Sequence, residues 1–253
     1  MNKPLIIANW KMSLAPNDAS LAAKKLSKAF SKFGAASVVI CPSFTDIAAV
    51  GSALEKSAIL LGAQDCFWED YGPYTGEISI AGLRSYGVSH IIIGHSERRE
   101  HLHETDAMVN KKMLAALAAD MVPILCIGET FEERRTNQKE HILQRELMNA
   151  MHATWLTKAN QLIVAYEPIW MIGSGQDIND DEIEHTHRVI KQTLYDLLPD
   201  TVVDTQIAII YGGSVNPENV RALVSQPSVD GVLVGGASTD PIVFSSLIHA
   251  AAK

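Results

Sequence analysis

Short apolar runs alternate along the chain with longer stretches whose apolar positions recur every three to four residues. The runs cover residues 5–10, 38–41, 59–63, 90–93, 122–127, 162–166, 207–211 and 231–234. They read as strands buried on both faces, the pattern of a parallel sheet covered by helices. The stretches between them predict helices over 18–33, 44–56, 80–86, 105–119, 132–156, 180–198, 217–225 and 241–251. Eight β units, each followed by α, in 253 residues match a closed eight-stranded parallel (β/α)8 barrel. A doubly wound sheet is the alternative, because periodicity alone does not report closure. No linker, low-complexity tract or repeated motif divides the chain, so residues 1–253 are expected to form one domain.

In such a barrel the loops after the strands build the functional face. One of them dominates the sequence. Residues 162–176 read LIVAYEPIWMIGSGQ. Glu167 stands where the strand ends, and Pro168 disfavours helical backbone at the residue before it. Ile169, Trp170, Met171 and Ile172 are too apolar for a loop left in water, and Gly173-Ser174-Gly175 can absorb a backbone swing. This is the make-up of a lid over an acid or base; a strand end with a partly buried connection is the plainer reading.

Other strand ends carry complementary chemistry. Asn9-Trp10-Lys11 follows the first strand and offers a fixed positive charge, although a lone lysine is more often merely solvated. Gly94-His95-Ser96-Glu97-Arg98-Arg99 follows the fourth, with Ser96 as the expected cap of a short helix. A helix N-terminus there would disfavour protonation of His95 and leave a neutral donor for a carbonyl oxygen. Glu97 and the arginines fit a structural ion-pair cluster equally well. Two glycine turns, Gly212-Gly213-Ser214 and Gly235-Gly236-Ala237-Ser238, follow the seventh and eighth strands, where barrels place a phosphate.

Composition narrows the partners. With 47% hydrophobic and 20% charged residues, the chain has the make-up of a soluble globular protein. A formal charge of −8 argues against nucleic acid or anionic membrane, while leaving anionic metabolites open. The start of the chain lacks a signal-like pattern and no long uncharged run occurs, so a cytoplasmic protein is expected. Cys41, Cys66 and Cys126 lie far apart outside any CxxC pattern and are expected to be reduced, with Cys126 packed in its strand. His101/His103 and His185/His187 are each two apart, a spacing that does not share one helix face; all four are expected on solvated surface, and no metal is expected. No GxGxxG follows the first strand, which argues against a dinucleotide, and no strand lysine suggests a Schiff base.

Taken together, Ala8-Asn9-Trp10-Lys11-Met12, Gly94 to Arg99, Ala165-Tyr166-Glu167-Pro168-Ile169-Trp170 with Ile172 to Gly175, Tyr211 to Val215 and Leu233 to Ser238 resemble the motifs of the triosephosphate isomerases, in that family's order and over essentially the whole chain. The resemblance implies a cofactor-free glycolytic and gluconeogenic isomerase acting on dihydroxyacetone phosphate and glyceraldehyde 3-phosphate. It assigns Glu167 as the base and His95 as the electrophile, the roles used as the general example of a glutamate base beside a neutral histidine. Lys11 and Asn9 would position substrate, supported by Ser96 and Glu97. Gly173, Ser214, Gly235 and Gly236 would bind phosphate, and Ile172 and Leu233 would press on the carboxylate under a closed lid. It further implies a homodimer in which the long connection 64–79 carries Thr75, Gly76 and Glu77 to a second subunit near Asn9 and Lys11. Departures from the family pattern are Met171 for alanine, Ser174 for threonine, Gln176 for lysine, Asp65 for asparagine and Thr239 for leucine. Met171 is expected to point outward, toward the surface or the next loop, because its neighbour Ile172 must turn inward.

Two other readings share parts of the pattern. A phosphate-binding lyase or synthase barrel would keep the glycine turns and need another acid–base set. A binding protein on an inactive barrel would lack Glu167, His95 or Lys11, and all three are present.

Overall fold

A computed structural model describes residues 3–30, 36–159, 161–171 and 179–252. Eight parallel strands close on themselves in sequence order, β1 pairing with both β2 and β8. The strands are β1 Leu5–Asn9, β2 Ser37–Cys41, β3 Leu60–Ala63, β4 His90–Ile93, β5 Val122–Ile127, β6 Leu162–Tyr166, β7 Ile207–Tyr211 and β8 Gly231–Val234. Around them run α1 Pro16–Phe30, α2 Ile47–Leu54, α3 Ile80–Ser85, α4 Ser96–Leu102, α5 Asp106–Ala118, α6 Phe131–Arg135, α7 Lys139–Ala150, α8 Asp180–Leu197, α9 Asp200–Gln206, α10 Val220–Val224 and α11 Pro241–Ala251. Among the described residues no helix is long and apolar enough to cross a membrane.

Successive side chains of a strand point to opposite faces, so closure sorts each run into two cores. Ile7, Val39, Cys41, Ile92, Ile124, Cys126, Ile163, Ala165, Ile210 and Leu233 fill the barrel interior. Ile6, Ala8, Val38, Ile40, Ile91, Ile93, Val164, Tyr166, Val232 and Val234 belong to a second cluster shared with the helices. This parity places the site. Two residues beyond Ile7 stands Asn9, beyond Ala165 stands Glu167, beyond Ile210 stands Gly212, and beyond Leu233 stands Gly235. Each continues the interior face of its strand at the C-terminal mouth. The three cysteines are free, as expected, and Cys126 is packed in its strand as expected; Cys41 and Cys66 are buried as well, and burial pushes all three thiols well above the ordinary range.

Several expected elements differ in extent. The helix expected over 132–156 is two helices, α6 and α7. A capping box between Thr130 and Glu133 starts α6, and Asn137, with φ of 56°, breaks the chain before α7. The helix expected over 44–56 begins as a 3₁₀ turn at Phe44–Asp46 before α2. The helix expected over 217–225 shortens to α10, and α9 was not expected at all. Only Val203 of α9 is buried, so it lacks the apolar stripe that betrays a helix. Residues 31–33, the expected end of the first helix, lie outside the described residues.

Candidate active site

The backbone of Lys11 has φ of 50°, a left-handed conformation that costs energy in a residue with a side chain. Two side chains hold it there. Asn9 Oδ1 accepts the Lys11 amide at 3.1 Å, and Gln64 Nε2 donates to the carbonyls of Lys11 at 2.9 Å and Cys41 at 3.1 Å. The Lys11 ammonium then extends to Glu97 Oε1 at 2.5 Å. Gln64 is a contributor that sequence reasoning missed, since nothing in one sequence marks a glutamine as a backbone clamp.

After β4, Gly94 takes φ of 74°, which delivers His95 to the mouth of the barrel. The cap of α4 is His95 itself and not Ser96: its Nδ1 accepts the Glu97 amide at 3.2 Å, and Ser96 is the first helical residue. A ring nitrogen that accepts an N–H carries no hydrogen, so the ring hydrogen sits on Nε2. That atom lies 3.1 Å from Glu167 Oε1. Burial pulls the His95 pKa down, but the Glu167 carboxylate and Glu97 pull it up and prevail, against the expectation of a lowered value. The expectation considered the helix terminus and not the facing carboxylate, which only the closed barrel brings near.

Glu167 is 2% exposed. Its amide donates to the Ile127 carbonyl at 2.8 Å, and Ser96 N donates to its Oε2 at 3.1 Å. Burial raises the carboxyl pKa, yet His95, the Ser96 amide and Lys11 together hold it below the ordinary range, so it is ionised at neutral pH. Pro168 starts a 3₁₀ turn, Ile169–Met171, anchored to Glu129. Both the Trp170 indole, at 2.9 Å, and the Tyr166 hydroxyl, at 3.2 Å, donate to Glu129 Oε1, and Arg134 stacks over the Trp170 ring. Glu129 also escaped the sequence reading, which weighed Cys126 in that segment. Met171, expected to face the surface or the next loop, is fully buried, which excludes the surface. Ile172, Gly173, Ser174 and Gln176 lie outside the described residues.

The two glycine turns complete the mouth. A Cβ on Gly213 would overlap the Tyr211 hydroxyl at 2.2 Å, so only glycine fits. A Cβ on Gly235 would lie 3.8 Å from Lys11 Nζ, which puts the lysine and the turn after β8 at one corner. Ser238 braces that turn through its hydroxyl to Gly235 O at 2.6 Å, and the Trp10 indole holds Ser238 O at 2.9 Å. A cavity of about 270 Å³ results. Asn9, Lys11, His95 and Glu167 line one part of it, and Ser214, Leu233, Gly235 and Gly236 the other. Ser96 reaches it through its amide and Glu97 through Lys11. Thr75, Gly76 and Glu77 are exposed at the tip of their loop and do not line it.

The arginines of the same motif turn away. Arg98 pairs with Asp65 at 2.7 Å and Glu104 at 2.6 Å, and buried Lys112 meets the same two carboxylates at 2.6 and 3.0 Å. His101, His103 and His185 are exposed as expected, but His187 is fully buried, with Nδ1 at 3.0 Å from Ser228 O and an edge-on contact to Tyr166. His187 stands on the buried stripe of α8 with Ile183, Thr186, Ile190 and Leu194, whereas His185, two residues earlier, falls off it. Among the described residues no cluster of metal-ligating side chains occurs.

Comparison with known proteins agrees with this geometry. A family model described as Triosephosphate isomerase matches residues 4–251. Triosephosphate isomerases of Citrifermentans bemidjiense and Moorella thermoacetica are each 42% identical over 249 residues, 98% of this chain and 99% of theirs. The crystal structure of triosephosphate isomerase from Bartonella henselae superposes with a TM-score of 0.89 at 35% identity, over 99% of this chain and 100% of that one. With a family model across nearly the full length and relatives above 40% identity, the chain belongs to the triosephosphate isomerase family.

Proposed function

We propose that the protein interconverts dihydroxyacetone phosphate and D-glyceraldehyde 3-phosphate by proton transfer through an enediolate. The observation that supports this most directly is a buried Glu167 at 3.1 Å from His95 Nε2, in a cavity that also holds Lys11 and both glycine turns. Family membership supplies the substrate class.

In this reading the phosphate lies at Ser214, Gly235 and Gly236, joined by Gly173 of the lid. The carbon skeleton then extends toward Glu167. The carboxylate takes a proton from the carbon beside the carbonyl and returns it to the neighbouring carbon. His95, with its hydrogen on Nε2, donates to the oxygen on which charge develops, and Lys11 and Asn9 stabilise the same charge. Substrate between the two side chains separates His95 from the carboxylate that raises its pKa, which favours the neutral donor. Ile172 and Leu233 exclude water above the base and suppress loss of phosphate from the enediolate. No cofactor takes part. A coupled assay with dihydroxyacetone phosphate tests the proposal; folded protein without turnover would leave a binding protein or another barrel enzyme.

The active form in this proposal is a two-fold homodimer. Met12, beside Lys11, is 93% exposed, and Tyr71 in the loop 64–79 is 86% exposed, so one chain presents both apolar partners of such a contact. Thr75 of one subunit would then support the site of the other. Sedimentation at assay concentration checks this, and a fully active monomer rejects it.

A further inference from the structure

His95 and Glu167 come from β4 and β6, with β5 between them. The tip of β5 adds no side chain to the cavity, because Gly128 stands there. A Cβ on Gly128 would lie 1.8 Å from the Glu167 carbonyl oxygen, so the two backbones are in direct contact. The Gly128 amide donates to Glu146 Oε2 at 3.0 Å, an acceptor supplied by α7 from behind the barrel. The other oxygen, Glu146 Oε1, faces Arg99 Nη1 at 3.8 Å. Arg99 in turn donates from Nε to the Gly94 carbonyl at 2.9 Å, one residue before His95, and its Nη1 is fixed by Asp106 at 2.6 Å. A Cβ on Gly94 would lie 3.2 Å from Arg99 Nη2, so this backbone too fits its partner closely. Glu146 is 6% exposed, and neither it nor Arg99 lines the cavity.

We propose that Glu146 and Arg99 are positioning residues that set the distance between His95 and Glu167, through Gly94 on one side and Gly128 on the other. The inference rests on the isomerase reading and adds to it the source of the geometry. Proton transfer is sensitive to sub-ångström placement, whereas phosphate is held by turns on the opposite side of the mouth. Loss of the brace therefore acts on kcat and spares anion binding.

The test uses Glu146→Leu, which removes the acceptor for Gly128, Glu146→Gln, which keeps an acceptor oxygen, and Arg99→Lys, which breaks the link to Gly94. Wild-type turnover of dihydroxyacetone phosphate is measured first, and its absence would reject the isomerase reading and leave the brace to be judged by NMR of the His95 ring. With wild type active, kcat per folded molecule is expected to fall ~10–100-fold in Glu146→Leu and in Arg99→Lys. Inorganic phosphate affinity and KM should stay within about twofold, the His95 ring resonances should shift, and Glu146→Gln should recover most of the rate. If Glu146→Leu does not fold, Arg99→Lys carries the same expectation. Activity that falls only with the folded fraction, or kcat within twofold in Arg99→Lys, would overturn the proposal.

Discussion

Two charged clusters grow from one short stretch of sequence and end in opposite conditions. Residues 95 and 97 join Lys11 and Glu167 at the cavity, while Arg98 joins Asp65, Glu104 and Lys112 behind it. Both contain buried carboxylates at hydrogen-bond distance from a basic group. In the rear cluster two acids meet two bases at 2.6 to 3.0 Å, each base bridging both carboxylates. Lys112 is 1% exposed and has no route to a ligand. At the front, Glu167 is held by a backbone amide and by an imidazole that can yield its hydrogen bond to another acceptor. An ion pair is therefore not a site in itself. A site arises where the partner of a buried charge is exchangeable and a cavity lets something exchange with it.

The sharpest way to separate the clusters is to remove one cation from the rear. Lys112→Met leaves Asp65 and Glu104 buried with one base between them, and should cost ~3–5 kcal/mol of stability. Turnover per folded molecule should stay within about twofold. Denaturant unfolding together with kcat reads both quantities, and an unchanged midpoint would mean the rear cluster is not structural.

Glu167→Asp should do the reverse. Pro168 fixes the backbone behind it, so a shorter side chain cannot follow the substrate. The expected loss in kcat is on the order of 10²–10³, with a smaller change in KM and little change in unfolding midpoint. Near-normal kcat would remove Glu167 from the role of base.

A smaller effect is expected at the corner where the proposed function places phosphate. Gly235→Asp places a carboxylate beside Lys11 Nζ, where it would capture the lysine and repel an anion. Affinity for inorganic phosphate should fall at least ~10-fold, since opposing charge costs more than one bond at this range. Unchanged affinity would place the anion elsewhere.

The mildest test concerns titration alone. In the wild-type protein the Glu167 carboxylate holds the His95 pKa above its ordinary value despite burial. Glu167→Gln removes the carboxylate and keeps the burial, so the His95 pKa should move down. The imidazole would then remain neutral to lower pH than in wild type, as NMR titration of the ring can show. An upward or absent shift would mean that Glu97 and not Glu167 governs the ring.

Much of this architecture was legible in the chain itself. Strands β4, β5, β6, β7 and β8 and helix α11 have the bounds that apolar runs and turn residues predict. The alternation of eight such units leaves few ways to bury them all. The residues at the mouth were legible for the same reason: Asn9 ends a strand, Lys11, His95, Glu167 and the glycine turns each follow one, and the resemblance to a known family fixed which ends mattered. Local chemistry was legible where it is local, as in the effect of Pro168 on the residue before it.

Tertiary structure decided what depends on pairs far apart in sequence. The pKa of His95 is set by a residue 72 positions away, so the helix-terminus argument pointed in the wrong direction. The clamps and anchors, namely Gln64 and Glu129, are polar side chains whose partners are backbone atoms or ring donors of other units. No periodicity marks them, because their burial follows from closure of the barrel and not from a stripe on their own segment. The burial of Met171 likewise follows from the rest of the fold, whereas His187 was misplaced although it stands on the regular stripe of α8 beside Ile183 and Ile190. Which way a side chain faces is fixed along a regular strand or helix by its period, but in a turn by what the rest of the fold packs against it.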